Sequence, residues 1–252
     1  MLKLVPQPNK IEKLSDETFS ITNITLGKNN LSSNAIGNFV SYCSLPTSEN
    51  ANIIFMVDNS LSDEDYIIET GNKIKIFSNS ASGQLYALQT LKQILFQCKN
   101  NIPHIRLTDK PSYKFRGFML DVGRYFFSVE NVKKIIDRMV LHKLNVLHLH
   151  LTEDQGWRIE IAKYPLLTQL GSKRRKTNFN HKPHGGFYTK QDIKEIVDYA
   201  HSFSIKVMPE FDIPGHSRAA IACYNDLTCF PRPLPVADHW GVKLDVLCVG
   251  KD

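Results

Sequence analysis

A chain of 252 residues is long enough for one large domain or two smaller ones, and a hydrophobic fraction of 42% is ordinary for a folded protein. The formal net charge of +6 is dispersed apart from one tight basic run, and no apolar run approaches the ~20 residues that span a bilayer. Five cysteines are too few for a disulfide scaffold, and their odd number leaves at least one thiol without a partner in the chain.

The first segment, Met1-Leu2-Lys3-Leu4-Val5-Pro6, is too short and too soon interrupted to be a signal peptide. Asn23-Ile24-Thr25 and Asn30-Leu31-Ser32 fit the N-glycosylation pattern, which is short enough to arise by chance and leaves the compartment open. Ile53–Val57 is a short apolar strand. Tyr66-Ile67-Ile68-Glu69, Gly71-Asn72 and Lys73-Ile74-Lys75-Ile76-Phe77 read as a β-hairpin. Ser80 can cap a helix on which Leu85, Leu88, Leu91, Lys92 and Leu95 recur at helical spacing. Strands with one amphipathic helix predict a small α+β domain over residues 1–110. Asp109-Lys110-Pro111-Ser112 reads as the linker to a second domain, residues 111–252.

The rhythm then changes. Phe118-Met119-Leu120-Asp121-Val122 is a strand that ends at Gly123-Arg124. Ser128 can cap a helix with Glu130 in its first turn, and Val132, Ile135, Ile136, Met139 and Val140 form one apolar stripe. A second strand lies within Asn145–Arg158, with Val146, His148 and His150 on one face and Leu147, Leu149 and Leu151 on the other. A long loop, about residues 152–188, contains the basic run Lys173-Arg174-Arg175-Lys176, read as a solvated loop with an anion or nucleic-acid contact as the alternative. Thr189 caps the next helix, with Asp192 placed as in a capping box and Ile193, Ile196, Val197 and Ala200 as its stripe. Ile205-Lys206-Val207-Met208 is a third strand, running into Pro209-Glu210-Phe211-Asp212 and Pro214-Gly215-His216. Strand, helix, strand, helix, strand implies parallel crossovers in an α/β domain.

Arg124, the pair Glu153 and Asp154, and Glu210 through His216 follow the C-terminal ends of three successive strands. In a parallel sheet these ends share one rim, where α/β barrels build their sites. Arg124 is a five-donor fork suited to hydroxyls or carboxylates, or to a surface salt bridge. His216, after Pro-Gly, can tune a proton beside a carboxylate or stabilise its turn. Trp157 reads as a sugar-stacking platform or a plug for the core. Glu153 and Asp154 are adjacent, so an extended backbone points them opposite ways, which argues against one acid/base pair. His148 and His150, joined by His216 and an acid, admit zinc as a second reading.

Together these residues resemble glycoside hydrolase family 20, the β-N-acetylhexosaminidases. Phe115-Arg116-Gly117-Phe118-Met119-Leu120-Asp121-Val122-Gly123-Arg124 is similar to the family's first barrel strand, and Lys143–Pro165 to its second strand and the loop beyond. Gly185-Gly186-Phe187-Tyr188-Thr189 and Met208–His216 are similar to its third unit. Leu4-Val5-Pro6-Gln7-Pro8 and Ala81–Leu95 resemble the small domain that precedes the barrel. The resemblance implies an α/β chain: a small α+β N-terminal domain, then the first part, about three βα units, of a TIM (β/α)8 barrel.

The chemistry so implied is retaining, substrate-assisted exo-cleavage of terminal β-linked N-acetylglucosamine or N-acetylgalactosamine. It calls for no metal and no cofactor. Its partners are N-acetylhexosamine-terminated glycans or chitooligosaccharides, with no nucleic acid and no membrane. Arg124 grips the ring hydroxyls, and the substrate-binding set is Arg124, His150, Glu153, Asp154 and Trp157. Glu153, where the family usually carries aspartate, and His216 form a relay to a catalytic glutamic acid. The family's Gly-Gly-Asp-Glu motif does not occur in the sequence. About 140 residues after the first domain are fewer than the roughly 200 that a complete barrel needs. The expectation is a fragment, a truncated product or a piece completed by another chain or an oligomer, inactive as an isolated chain. The family favours a secreted, periplasmic or lysosomal setting. The competing reading is a non-catalytic sugar-binding subunit.

Overall fold

The computed structural model describes residues 2–99 and 101–251. Met1, Asn100 and Asp252, which the expected domains include, lie outside the described residues. The chain forms two compact units. The first comprises the residues up to Arg116 with Asp137–Asn145 and His201–Ile205. The second comprises Gly117–Ile136, Val146–Ala200 and the residues from Lys206 onward. The boundary thus falls after the Asp109–Ser112 segment, and two short later segments join the first unit. Among the described residues, no helix is long and apolar enough to cross a membrane.

In the first unit, β1 (Lys10–Ser20), β2 (Ile53–Val57), β3 (Tyr66–Thr70), β4 (Ile74–Ser78) and β5 (Asn101–Asp109) form one sheet in the order β1-β5-β3-β4-β2. The β3–β4 hairpin pairs Tyr66 with Ser78 and Thr70 with Ile74, so Ile68 and Ile76 stand opposite each other and are both buried. Helix α1 (Ser33–Cys43) packs on α2 (Ala81–Cys98), which lies on β3, β4 and β5. Ser80 caps α2 by accepting the Gly83 N–H, and Leu85, Leu88, Leu91 and Leu95 are all buried. Sequence periodicity does not show β1, α1 or β5. Strand β1 is an edge strand with a register shift between Lys13 and Thr18, so it carries little apolar signal. Asp109 is not linker: it ends β5, and its buried carboxylate accepts from Tyr66 OH at 2.6 Å and from Lys143 Nζ at 2.9 Å.

The second unit is built on β6 (Gly117–Asp121), β7 (Val146–His150) and, later in the chain, β12 (Lys206–Glu210), a parallel sheet in which β7 is central. Helix α3 (Val129–Leu141) follows β6, with Val132 N donating to Ser128 O and with Val132, Ile136, Met139 and Val140 buried. Past β7 the chain makes a tight hairpin, β8 (Thr152–Glu153) with β9 (Gly156–Trp157), then a short helix α4 (Leu166–Gln169) and a second pair, β10 (Lys173–Arg174) with β11 (His184–Gly185). The basic run is therefore only partly solvated. Arg174 is buried, donates to Gln155 O at 3.0 Å and lies 5.0 Å from the Tyr125 ring.

Helix α5 (Lys190–His201) begins in a complete capping box: Asp192 N donates to Thr189 Oγ1 at 3.1 Å and Thr189 N to Asp192 Oδ2 at 2.8 Å. Strand β12 (Lys206–Glu210) then pairs with β7, Met208 opposite His148 and Glu210 opposite His150. Pro209 stands opposite Leu149 in this pairing. Helix α6 (Arg218–Cys223) leads to a terminal loop closed by the Cys229–Cys248 disulfide, while Cys43, Cys98 and Cys223 are free thiols.

Candidate active site

The parallel register places Asp121, His150 and Glu210 side by side at the C-terminal ends of β6, β7 and β12. Beyond Asp121 the chain folds back, and Val122 and Gly123 both donate to His150 O, at 3.2 and 3.1 Å. Arg124 is thereby presented at the rim. Its backbone N–H donates to Asp121 Oδ1 at 2.9 Å, its Nη1 donates to Asp121 Oδ2 at 2.6 Å, and its Nη2 is ion-paired with Glu153 Oε1.

Glu153 is the buried hub. Its Oε1 faces Arg124 on one side and lies 2.7 Å from His216 Nδ1, while Oε2 accepts the Asp154 N–H at 2.7 Å. Burial pushes its carboxyl up. The His150 contact, the Asp154 N–H and the Arg124 and His216 charges outweigh that and hold it below the ordinary carboxylate range. The close approach of Gly123 requires its lack of a side chain, since a Cβ there would lie 2.9 Å from Glu153 Cβ.

Asp154 does not point wholly away from this hub, as simple strand alternation would have it. Its Oδ2 lies 4.0 Å from His216 Nδ1, and its Oδ1 accepts the Arg218 N–H at 3.0 Å. Burial raises its pKa; the Arg218 N–H opposes that and the neighbouring Glu153 charge adds to it. His216 itself has φ 51°, the left-handed region that costs a non-glycine residue roughly 1–2 kcal/mol. Ser217 braces the turn by donating to Gly215 O at 2.7 Å, and Leu247 N donates to Pro214 O at 2.9 Å.

His150 is buried between two carboxylates, with Nε2 3.7 Å from Glu153 Oε1 and Nδ1 3.1 Å from Glu210 Oε2. The Glu153 contact raises its pKa, burial opposes this, Glu210 adds to it, and the ring is lifted to about 9. His148 Nε2 contacts the same Glu210 oxygen. Two groups among the described residues have ligand atoms close enough for one ion: His150, Glu210 and Asp212, and separately Glu153, Asp154 and His216. Of the zinc set read from the sequence, His150 falls in the first group, His216 in the second and His148 in neither. Trp157 is half-buried, donates Nε1–H to Ile159 O at 2.7 Å and lies 6.0 Å from the Phe211 ring. It does not join the Arg124–Glu153–His216 chain.

Three parts of the rim have no signal in spacing or composition. Asp121 reads as the last residue of a strand, yet it orients Arg124. Trp240 lies in a loop without periodicity, with Arg124 Cζ 5.9 Å from its ring. Arg158 is fully buried, and among the described residues its hydrogen bonds go to backbone carbonyls. Its Nε donates to Val122 O at 2.9 Å, Nη2 to Gly123 O at 2.9 Å, and Nη1 to Ser172 O at 2.6 Å and Gly186 O at 3.0 Å. One guanidinium thus ties the end of β6 to two later loop segments.

Known proteins resemble the chain throughout. Residues 113–252 match the model of the glycosyl hydrolase family 20 catalytic domain, and residues 1–110 that of the same family's domain 2. A β-hexosaminidase of Porphyromonas gingivalis is 45% identical over 76% of this chain and 26% of its own length. An N,N′-diacetylchitobiase of Vibrio harveyi is 36% identical over 60% of this chain and 19% of its own. A mutant β-hexosaminidase of Streptomyces plicatus, solved in complex with GlcNAc as product, superposes with a TM-score of 0.87 at 32% identity over 99% of this chain and 53% of that one. The chain therefore spans little more than a quarter of the longer-matched of the two relatives and about half of the solved protein. With a catalytic-domain model over one part and a companion-domain model over the other, the chain belongs to glycosyl hydrolase family 20.

Proposed function

We propose that the protein carrying this chain is a retaining β-N-acetylhexosaminidase, acting on glycans or chitooligosaccharides that end in N-acetylhexosamine. Its three parallel strands are then the opening βα units of a (β/α)8 barrel, and the rim they share is one arc of the active site. The observation that carries the reading is the continuous chain Arg124–Glu153–His216, with Glu153 Oε1 ion-paired to Arg124 and 2.7 Å from His216 Nδ1.

Arg124 spends donors on Asp121 and Glu153 and keeps the rest of a half-exposed guanidinium for a ligand. Held from two sides, it offers a pre-oriented grip for the hydroxyls of a terminal sugar. In substrate-assisted cleavage the acetamido oxygen bonds the anomeric carbon as the glycosidic C–O bond breaks, and an acid protonates the departing oxygen. No residue of this chain is assigned that acid. Glu153 and His216 serve it from behind: the ionised Glu153 fixes the His216 ring through Nδ1, and His216 Nε2 lies 4.0 Å from Asp212 Oδ2.

The test is turnover of a chromogenic N-acetyl-β-glucosaminide by the intact protein and its Arg124→Ala variant. A hydrogen bond from a charged donor contributes about 1.5–3 kcal/mol, so kcat/KM falls roughly 10- to 150-fold. Unchanged kcat/KM overturns the assignment.

A further inference from the structure

A cavity of about 240 Å³ lies wholly within the first unit, and the chemistry above makes no use of it. It is smaller than the roughly 300–1,000 Å³ of drug-sized sites and larger than the roughly 150 Å³ that holds benzene. Two ion pairs line it, Lys143 with Asp109 and Arg116 with Glu64, beside Tyr66 and Tyr86. Lys143 and Asp109 are only 7% and 8% exposed. A buried pair of this kind adds little stability over apolar residues of equal volume, and apolar residues would also fill the hollow. Lys143 further holds φ at 57°, a region that is costly for a side-chain-bearing residue. Stability therefore does not account for charges kept beside open space.

The donors and acceptors around the cavity are unequally used. Asp109 is full: Oδ2 accepts from Tyr66 OH at 2.6 Å and Lys143 Nζ at 2.9 Å, and Oδ1 from the Asn9 and Lys110 N–H groups at 3.3 and 3.0 Å. Glu64 is clamped by Arg116 Nη2 and Nη1 at 2.8 and 3.1 Å, and it also accepts from Tyr86 OH at 3.1 Å and Asn145 Nδ2 at 3.2 Å. Arg116 is spent as well. Its other N–H groups go to Tyr86 OH at 3.1 Å and, at 2.7 Å each, to the Tyr113 and Lys143 carbonyls. An ammonium has three N–H donors, and among the described residues that of Lys143 bonds only Asp109 and Tyr66, which leaves one over. The lining thus offers a buried donor and no matching acceptor. It also carries three cations, Lys110, Arg116 and Lys143, against the two carboxylates, so its net charge is +1. Tyr113, 76% exposed, and Pro111 add apolar walls.

We propose that this cavity is a second ligand site, for a small organic anion: one ring, or a body of that size, whose carboxylate accepts from Lys143 while Tyr113 and Pro111 cover its apolar part. An acceptor is called for because the open capacity is a donor, and an anion because the lining is left positive. The inference makes no use of the hexosaminidase reading and stands or falls apart from it.

The experiment is calorimetric titration of the intact protein with sodium benzoate, and with benzyl alcohol as the neutral ring of similar size. We expect benzoate to saturate one site and to bind at least about tenfold more tightly than benzyl alcohol, as a bond from a charged donor implies. Lys143→Met combined with Asp109→Leu removes the open donor without stranding a charge and is expected to abolish benzoate binding. Lys110→Gln and Tyr113→Ala change exposed side chains, leave folding intact and weaken binding severalfold, so they decide the matter even where the double variant does not fold. No saturable heat with benzoate, equal affinity for benzyl alcohol, or benzoate binding unchanged by both Lys110→Gln and Tyr113→Ala overturns the proposal.

Discussion

His150 and Glu210 stand opposite each other across β7 and β12, and their side chains meet at 3.1 Å between Nδ1 and Oε2. The pairing places a protonated imidazole inside a carboxylate cluster, with Glu153 closing the other side. A ring whose folded pKa is about 9 against an ordinary ~6.5 is charged through the neutral range. Its contribution to stability is complete below pH ~6.5 and is lost as pH rises through about 9. NMR titration of the His150 ring in the intact protein is expected to show the high midpoint, and Glu153→Gln is expected to lower it. A midpoint near 6.5 in the wild type would show that the two carboxylates do not hold the proton.

Lys143 and Asp109 make a second buried pair, this one in the first unit. Lys143 Nζ donates to Asp109 Oδ2 at 2.9 Å and to Tyr66 OH at 2.7 Å. Burial lowers the Lys143 pKa, and Asp109 acts against it. Removing one member of such a pair strands the other. Lys143→Ala is expected to destabilise by about 3–5 kcal/mol, whereas Lys143→Met with Asp109→Leu, which removes both charges, loses much less. Urea midpoints for the single and double variants check this; an additive loss would rule out the pairing as the cause.

Arg158 predicts a different kind of failure. Its partners are backbone carbonyls of the segments that frame the rim, so its loss leaves buried acceptors unsatisfied. Arg158→Met is expected to cost more than 3 kcal/mol at a nearly unchanged volume, and Arg158→Lys only part of that. Gly186→Ala attacks the same junction from the other side: its φ is 141°, and a Cβ would overlap the Phe126 ring. Thermal unfolding of the three variants reads the order directly, with wild-type-like midpoints contradicting the staple.

Much of this was legible in the residues, for reasons that can be named. The α2 and α3 stripes and the alternation in Val146–His150 are periodic signals imposed by burial on one side. The reciprocal Thr189–Asp192 cap is local chemistry that needs no tertiary context. Arg124, Glu153 and His216 could be placed at one rim because parallel strands carry their ends together. What was illegible depends on distant partners. Asp109 looked like linker because its meaning comes from Lys143, 34 positions later. Arg174 looked solvated because the Gln155 carbonyl and the Tyr125 ring that cover it come from other segments. Trp240 acquires its place beside Arg124 only when Asn178 and Gln155 fix its loop.

The Cys229–Cys248 bond encloses Trp240 within a ring of chain whose closing residues are 19 positions apart. Cutting a ring of that size returns roughly 3 kcal/mol of chain freedom to the unfolded ensemble. The redox setting thereby becomes a variable of how firmly the loop that carries Trp240 is held. Protein made in a reducing cytosol, or assayed with millimolar dithiothreitol, would carry an unfastened Trp240 segment from an unchanged sequence.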